Sequence, residues 1–408
     1  MSAVQTGLRS QAVRPKEKRW LGIDPWLVLI VVVMVCYGLV MVYSSSWDVA
    51  WRLHGDPTAL FKRQILNLLA GIVALLAALW IPLRWLRWAA VPVIILAIAS
   101  LALVLVLGGG SGPKRAILGA SVQPSEMAKL ALIIYLAVWM ESKGEKLADW
   151  TYGLLPLIGI LGIVGGLVLL QPDLSASITI AIVAFVMFYM AGARWRHMFI
   201  VALGSGGVGL LLIRLSTTGR QRWQFFWNGL INVEEASYHV QRSLQAFFSG
   251  GLFGRGLGAS REKFGLLPAP HTDSIFAVIG EELGLVGAAL VLLLFALLMW
   301  RGFRVASRQP DRLSVLLGSG VTFWIGCGAL INMAVLLGLL PFAGNALPFF
   351  SYGGSNLVTT LAGMGLLLNV SKQQPIGAAE KRTIAAIGGG RGNRRRRVSR
   401  VGRARRTQ

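Results

Sequence analysis

Apolar residues run almost without interruption through ten stretches of this chain, near 25–44, 65–83, 88–108, 125–141, 152–170, 174–191, 196–213, 274–300, 314–340 and 353–370. Polar residues gather in the breaks between them. A bilayer core demands about 20 apolar residues of a helix, and the Gly and Pro scattered through these runs are tolerated in spans. The pattern predicts an all-α polytopic membrane protein of about ten transmembrane helices. It fails after the seventh span, at Leu215, and no membrane-length run resumes until Ser274. A structureless connection of that length is uncommon unless functional, and this one has periodic signals of its own: Trp223, Phe225, Phe226 and Trp227, then Leu244, Phe247 and Phe248. Aromatics mixed with Arg220, Arg222 and Arg242 suit helices lying in the membrane interface. Gly250, Gly251, Gly254, Gly256 and Gly258 then supply bends or close backbone approach.

Charge sets the orientation. The even connections hold Arg84 and Arg87, Lys143 and Lys146, Arg194 and Arg196, and Arg301, Arg304, Arg308 and Arg312, whereas the odd connections 171–173 and 341–352 hold no Lys or Arg. Basic short loops stay in the cytoplasm, so both termini are expected there and the 215–273 connection is extracytoplasmic. The expected organisation is a basic N-terminal segment (1–24), a ten-helix membrane domain (25–370) and a basic tail (371–408). The first span, too long and too poorly flanked for a cleaved signal, reads as an uncleaved anchor. Hydrophobic residues make up 55% of the chain and charged ones 14%, with a net charge of +23. That charge does not point to nucleic acid, because twelve Lys or Arg against one acid, Glu380, fall in the tail. A juxtamembrane polybasic segment of this kind is attracted to anionic lipid. Cys36 and Cys327 lie inside spans as small hydrophobes, and the four histidines show no metal-ligand spacing.

Ionisable groups in or beside spans are functional candidates by default. Asp273 stands where the polar connection gives way to the eighth span, flanked by His271 and Thr272 and followed by Glu281 and Glu282 inside the apolar run. Helix capping competes as an explanation for Asp273. On a helical wheel Glu281 lies about 80° from Asp273 and Glu282 about opposite, which makes Glu281 the expected inward acid. Glu126 and Lys129, three residues apart on one helical face, form either a structural ion pair or a polar wall of a substrate cavity. Ser125 is expected to cap that helix after Pro124. Asp173 caps a following helix or joins the site, and Ser351 to Ser355 form a polar bend that Asn332 can hydrogen-bond.

Four motifs in this order, QPSEMAKL (123–130), QPDL (171–174), LPAPHTDSIFAVIGEELG (267–284) and LPFFSYGGS (347–355), resemble the SEDS family, the shape, elongation, division and sporulation proteins of bacterial cell-wall synthesis. The resemblance covers about 25–371. DPWLVL (24–29), GLVMVYSSS (38–46) and GLLLNVS (365–371) are more similar to the division member than to the elongation member. It implies a peptidoglycan glycosyltransferase of the bacterial cytoplasmic membrane that polymerises lipid II on the outer face. Asp273 matches the essential aspartate of the family's HTD motif, with the role of general base on the acceptor sugar 4-hydroxyl. The developing charge on the lipid pyrophosphate needs cations; Lys114, Arg115, Arg220 and Arg222 are the candidates, with Mg²⁺ or Mn²⁺ as possible helpers and no organic cofactor. Glu126, Lys129, Asp173, His271, Thr272, Glu281, Ser351 and Ser355 complete the expected substrate-binding set. Expected partners are a class B penicillin-binding protein transpeptidase and divisome regulators. Three departures stand out: Ala269 where the family often has Glu, Ala116 after Arg115 where it often has Trp, and Asn356 in place of a common Ser. A lipid II flippase, an elongation polymerase and a recruiting scaffold are the competing readings.

Overall fold

The computed structural model describes residues 22–107, 123–171 and 173–372; Lys114, Arg115, Pro172, residues 1–21 and the tail beyond Lys372 lie outside them. The described residues contain no strand and twelve α-helices: α1 (Pro25–His54), α2 (Ala59–Trp80), α3 (Leu83–Leu107), α4 (Pro124–Lys143), α5 (Leu155–Leu170), α6 (Leu174–Met190), α7 (Trp195–Leu215), α8 (Thr217–Ile231), α9 (Tyr238–Gly250), α10 (Ile275–Ala306), α11 (Arg312–Leu336) and α12 (Gly354–Ser371). Ten of them coincide with the ten apolar runs, and α8 and α9 are the two helices of the long connection. By length and composition, seven spans among the described residues suffice to cross a membrane, α6 being a shorter apolar helix. α4 and α12 are more polar, and they bury those groups: Ser125, Glu126, Lys129, Thr359, Thr360 and Asn369 are all enclosed.

The bundle has a centre and a periphery. α11 buries 78% of its most apolar window and α7 only 12%, so α11 is a core helix while α7 presents Phe199, Leu203 and Leu210 outward, as a lipid-facing helix must. Close helix approach needs small residues. A Cβ on Gly365 of α12 would overlap the Leu75 carbonyl of α2. Four residues on, Asn369 donates to the Ala78 and Ile81 carbonyls at 2.9 and 2.6 Å.

One end of the bundle is tied by ion pairs. Asp24 caps α1, accepting from the Trp26 and Leu27 amides, as an acid before a proline at the first helical position should. Its carboxylate also takes Arg301 Nη2 at 2.8 Å, and its own amide donates to Ser371 Oγ. Arg87 joins Glu141 and Asp311 at the same end.

At the opposite end α10 is not one continuous helix. Gly284 has φ 66° and ψ −164°, a conformation that only glycine adopts without strain, so residues 275–283 form a separate two-turn segment. The chain leaving α9 fills the break. Leu285 and Val286 amides donate to the Gly251 and Leu252 carbonyls, and Arg255 and Gly256 amides donate to the Glu281 and Glu282 carbonyls. A Cβ on Gly254 would overlap the Glu282 carbonyl. The glycine-rich stretch therefore makes both the bends and the close approach expected of it.

Candidate active site at the loop end of the bundle

Asp273 sits half-buried at the head of the 275–283 segment. The helix cap is Ser274, whose hydroxyl turns back to the Pro268 carbonyl at 2.8 Å, so the capping position does not fall on Asp273. The preceding turn is held by the Ala269 carbonyl, which accepts from the Thr272 and Ser274 amides. Ala269 has φ 48°, a left-handed conformation that costs a residue with a Cβ roughly 1–2 kcal/mol.

The backbone around Asp273 is anchored from two further elements. Asn332 of α11 donates to the Asp273 carbonyl at 2.9 Å and also to the Asn345 carbonyl. Asn345 in turn donates to Gly328. A Cβ on Gly344 would lie 2.5 Å from Asp273 Oδ2, so any larger residue there would push the carboxylate from its present position. Ser351 is the second anchor: it accepts from the Leu347 amide at 2.7 Å and donates to the Thr272 carbonyl at 2.6 Å, while the Tyr352 amide donates to the His271 carbonyl.

From Gly344 a polar chain crosses the bundle end. Ser175 Oγ lies 3.1 Å from the Gly344 carbonyl and 3.0 Å from Asp173. Asp173 caps α6 through the Ala176 amide and also accepts from Gln123 and Ser125. Ser125 is therefore not the cap of α4, as the sequence suggested. Pro124 has no N–H to leave unsatisfied and takes the first helical position, which shifts the cap to Gln123 and frees the Ser125 hydroxyl for Asp173. The Gln123 amide donates to Ser355. Glu126 and Lys129 pair at 2.8 Å, both buried, and Asn356 donates to the second Glu126 oxygen.

The structure thus gathers His271, Thr272 and Ser351 around Asp273 and links that group through Gly344 and Ser175 to Asp173 and Ser355, with Glu126 and Lys129 joined beyond them through Asn356. Arg222 lies over the Phe342 ring at 5.9 Å, two residues along the chain from Gly344. Arg220 is exposed on α8. Glu281 points elsewhere: its carboxylate takes Ser260 Oγ and the Arg261 and Glu262 amides, with Arg255 at 3.7 Å. The inward direction that the helical wheel assigned to it is occupied by the re-entering loop. Sequence reasoning passed over Ser175, Gly344, Asn345 and Lys263, and it read Asn356 only as a departure.

Electrostatics at the rim are set by burial. Burial pulls the His271 imidazole down to about 4, so it is neutral at pH 7; its ring packs against the edge of Tyr352, and its Nδ1 has no hydrogen-bond partner among the described residues. His239, stacked on Phe342 at 4.1 Å, is likewise held below its ordinary value by burial and then by Arg222. Among the described residues no three His, Cys, Asp or Glu side chains come together as a metal site.

An all-helical, multi-pass bundle whose polar residues converge at one end defines the class. Residues 25–375 match the family described as cell cycle proteins, that of FtsW, RodA and SpoVE, and the chain belongs to it. It is 38% identical over 358 residues to the "Probable peptidoglycan glycosyltransferase FtsW" of Trichlorobacter lovleyi, covering 85% of this chain and 93% of that one. It is 37% identical over 364 residues to stage V sporulation protein E of Bacillus subtilis, covering 86% and 97%. Among solved structures it is similar to a chain of a peptidoglycan synthase complex, studied for its coordination of polymerization and crosslinking, with TM-score 0.69 and 31% identity over 86% of this chain and 98% of that one. Thermus thermophilus rod shape determining protein RodA gives TM-score 0.62 and 30% identity over the same shares.

Proposed function

We propose that this protein is a peptidoglycan glycosyltransferase that polymerises lipid II during cell division, with Asp273 as the base. The observation that carries the reading is the setting of Asp273: a half-buried carboxylate on a backbone fixed by Asn332 and Ser351, facing a glycine, at the end of a chain of hydrogen-bonded polar groups that runs to Asp173 and Ser125. Such a carboxylate accepts the proton of the acceptor 4-hydroxyl as that oxygen attacks the donor anomeric carbon. The bond from that carbon to the pyrophosphate oxygen breaks, undecaprenyl pyrophosphate leaves, and the new link forms with inversion and no covalent sugar intermediate. Pre-fixed geometry lowers the entropic cost of bringing base, nucleophile and donor into line.

Arg222 packs over the Phe342 ring, two residues from Gly344, which supports a role in holding the pyrophosphate; Arg220, Lys114 and Arg115 join it in this reading. Mg²⁺ and Mn²⁺ prefer several oxygen ligands. The described residues hold no cluster of three such ligands, so a bound ion would rest chiefly on substrate oxygens. The partner in this reading is a class B penicillin-binding protein transpeptidase, in keeping with the synthase complex to which the chain is similar, together with divisome regulators. Both termini are assigned to the cytoplasm and the tail to anionic lipid.

The test is polymerisation of labelled lipid II by the purified protein with its transpeptidase in proteoliposomes. Wild type should build glycan strands and Asp273→Ala should build none; polymer from the variant would sink the base assignment. Lipid II scrambling lost in Asp273→Ala vesicles, with polymerisation intact, would favour a flippase instead.

A further inference from the structure

The catalytic reading leaves unused a fully buried cluster on the other side of the 275–283 segment. Lys263 is 2% exposed and Glu282 0%, and they pair at 2.7 Å. Lys263 Nζ also donates to the Ser44 carbonyl of α1 at 3.1 Å and to the Gly258 carbonyl at 2.9 Å. Ser44 Oγ lies 2.8 and 2.6 Å from the two Glu282 oxygens. One ammonium group therefore ties three pieces of chain: the re-entering loop, the first span and the short segment that carries Asp273.

Placement makes this cluster more than a filler. The break at Gly284 uncouples residues 275–283 from the rest of α10, so the helix below does not fix where the segment stands. Its outer end is held by Asn332 and Ser351 at Asp273 and Thr272. Its inner end is held by the two adjacent glutamates, Glu281 to the loop amides at 261 and 262 and Glu282 to Lys263 and Ser44. Charges buried at this depth are costly unless paired and fully hydrogen-bonded; a hydrophobic pair would pack the same space with no directional bonds. Directional bonds from Lys263 set register as well as proximity.

We infer that Lys263 and Glu282, with Ser44, are positioning residues for the reaction: they fix the height and rotation of the 275–283 segment, and through it the carboxylate of Asp273, without touching substrate. The inference rests on the catalytic reading of Asp273.

A charge-free replacement separates positioning from stability. Lys263→Met with Glu282→Gln keeps volume, removes both charges together and leaves an amide oxygen for Ser44 to meet; Lys263→Met alone is the control that strands a buried carboxylate. Wild type, the double variant and Asp273→Asn are measured side by side for thermal melting, for kcat and KM on lipid II, and for hydrogen exchange of residues 268–274. The expected result is a double variant that melts within a few degrees of wild type, keeps its lipid II KM within about threefold, loses at least tenfold in kcat and exchanges faster across 268–274. A double variant with wild-type kcat while Asp273→Asn is inactive overturns the inference and leaves the catalytic reading standing. An active Asp273→Asn overturns the catalytic reading itself. A double variant that melts far lower overturns positioning in favour of a purely structural pair, unless Ser44→Ala, which removes one hydroxyl and no charge, reproduces the loss in kcat at unchanged KM and melting temperature; if Ser44→Ala also leaves kcat unchanged, the inference fails.

Discussion

Three carboxylates lie within ten residues of one another, and the fold treats them in two ways. Glu281 and Glu282 are buried inside the bundle, every oxygen engaged by the re-entering loop, Lys263 or Ser44. Asp273, at the other end of the same short segment, has its backbone pinned and its side chain only half-buried. The deeper acids are the less available ones. Depth in the membrane selects for neutralised, bonded groups, whereas chemistry on a substrate needs a carboxylate with geometry fixed and one face open.

The contrast can be broken by experiment, and the largest effect should come from the rim. Asp273→Asn is expected to lower polymerisation by roughly 10²–10⁴-fold, the range for a lost general base, while the melting temperature stays put; a matching loss of stability would erase the distinction. Glu282→Leu should do the reverse. It strands the Lys263 ammonium and should cost about 3–5 kcal/mol, seen as a lower denaturation midpoint in detergent. Gly284→Ala comes next, because its φ of 66° and the overlap of a Cβ with the Leu252 carbonyl force strain of order 1–3 kcal/mol. Asn332→Ala removes the bond to the Asp273 carbonyl and should cost about 1–3 kcal/mol, with a partial loss of rate, since it touches the backbone of the acid and not its carboxylate.

The smallest effect is a pH dependence. Folding holds His271 neutral with its pKa near 4, below the ordinary value of 6.5. The unfolded chain therefore binds the proton more readily between those values, so stability is intact above about 6.5 and declines as pH falls toward about 4. His271→Gln should flatten that slope in melting curves measured across the window. An unchanged slope would assign the pH dependence to other groups.

The spans were legible because the bilayer imposes length and apolarity on each one separately, and the two helices of the long connection, α8 and α9, because their aromatics and arginines fall at helical spacing. Asp273 was legible because position and neighbours in sequence coincide with its place in space. Lys263 was not. A lysine in a glycine-rich stretch reads as solvated, and only the re-entry of that stretch brings it to Ser44, 219 residues away. Glu281 misled for the same reason, since a helical wheel assumes that the space beside a helix is empty until a known neighbour fills it. Ser175 and Asn345 are single polar residues whose partners come from other elements, so nothing local marks them.

The seam between α2 and α12 bears on how the protein is made. Gly365 and Asn369 fit against Leu75, Ala78 and Ile81, and Ser371 closes on Asp24, so the second span to enter the membrane finds this mate only when the last one arrives. Sequence-distant pairing of this kind postpones assembly. Until synthesis has passed residue 371, α2 must wait in the bilayer with its groove unfilled, and a chain that ends before α12 lacks the helix that completes the bundle.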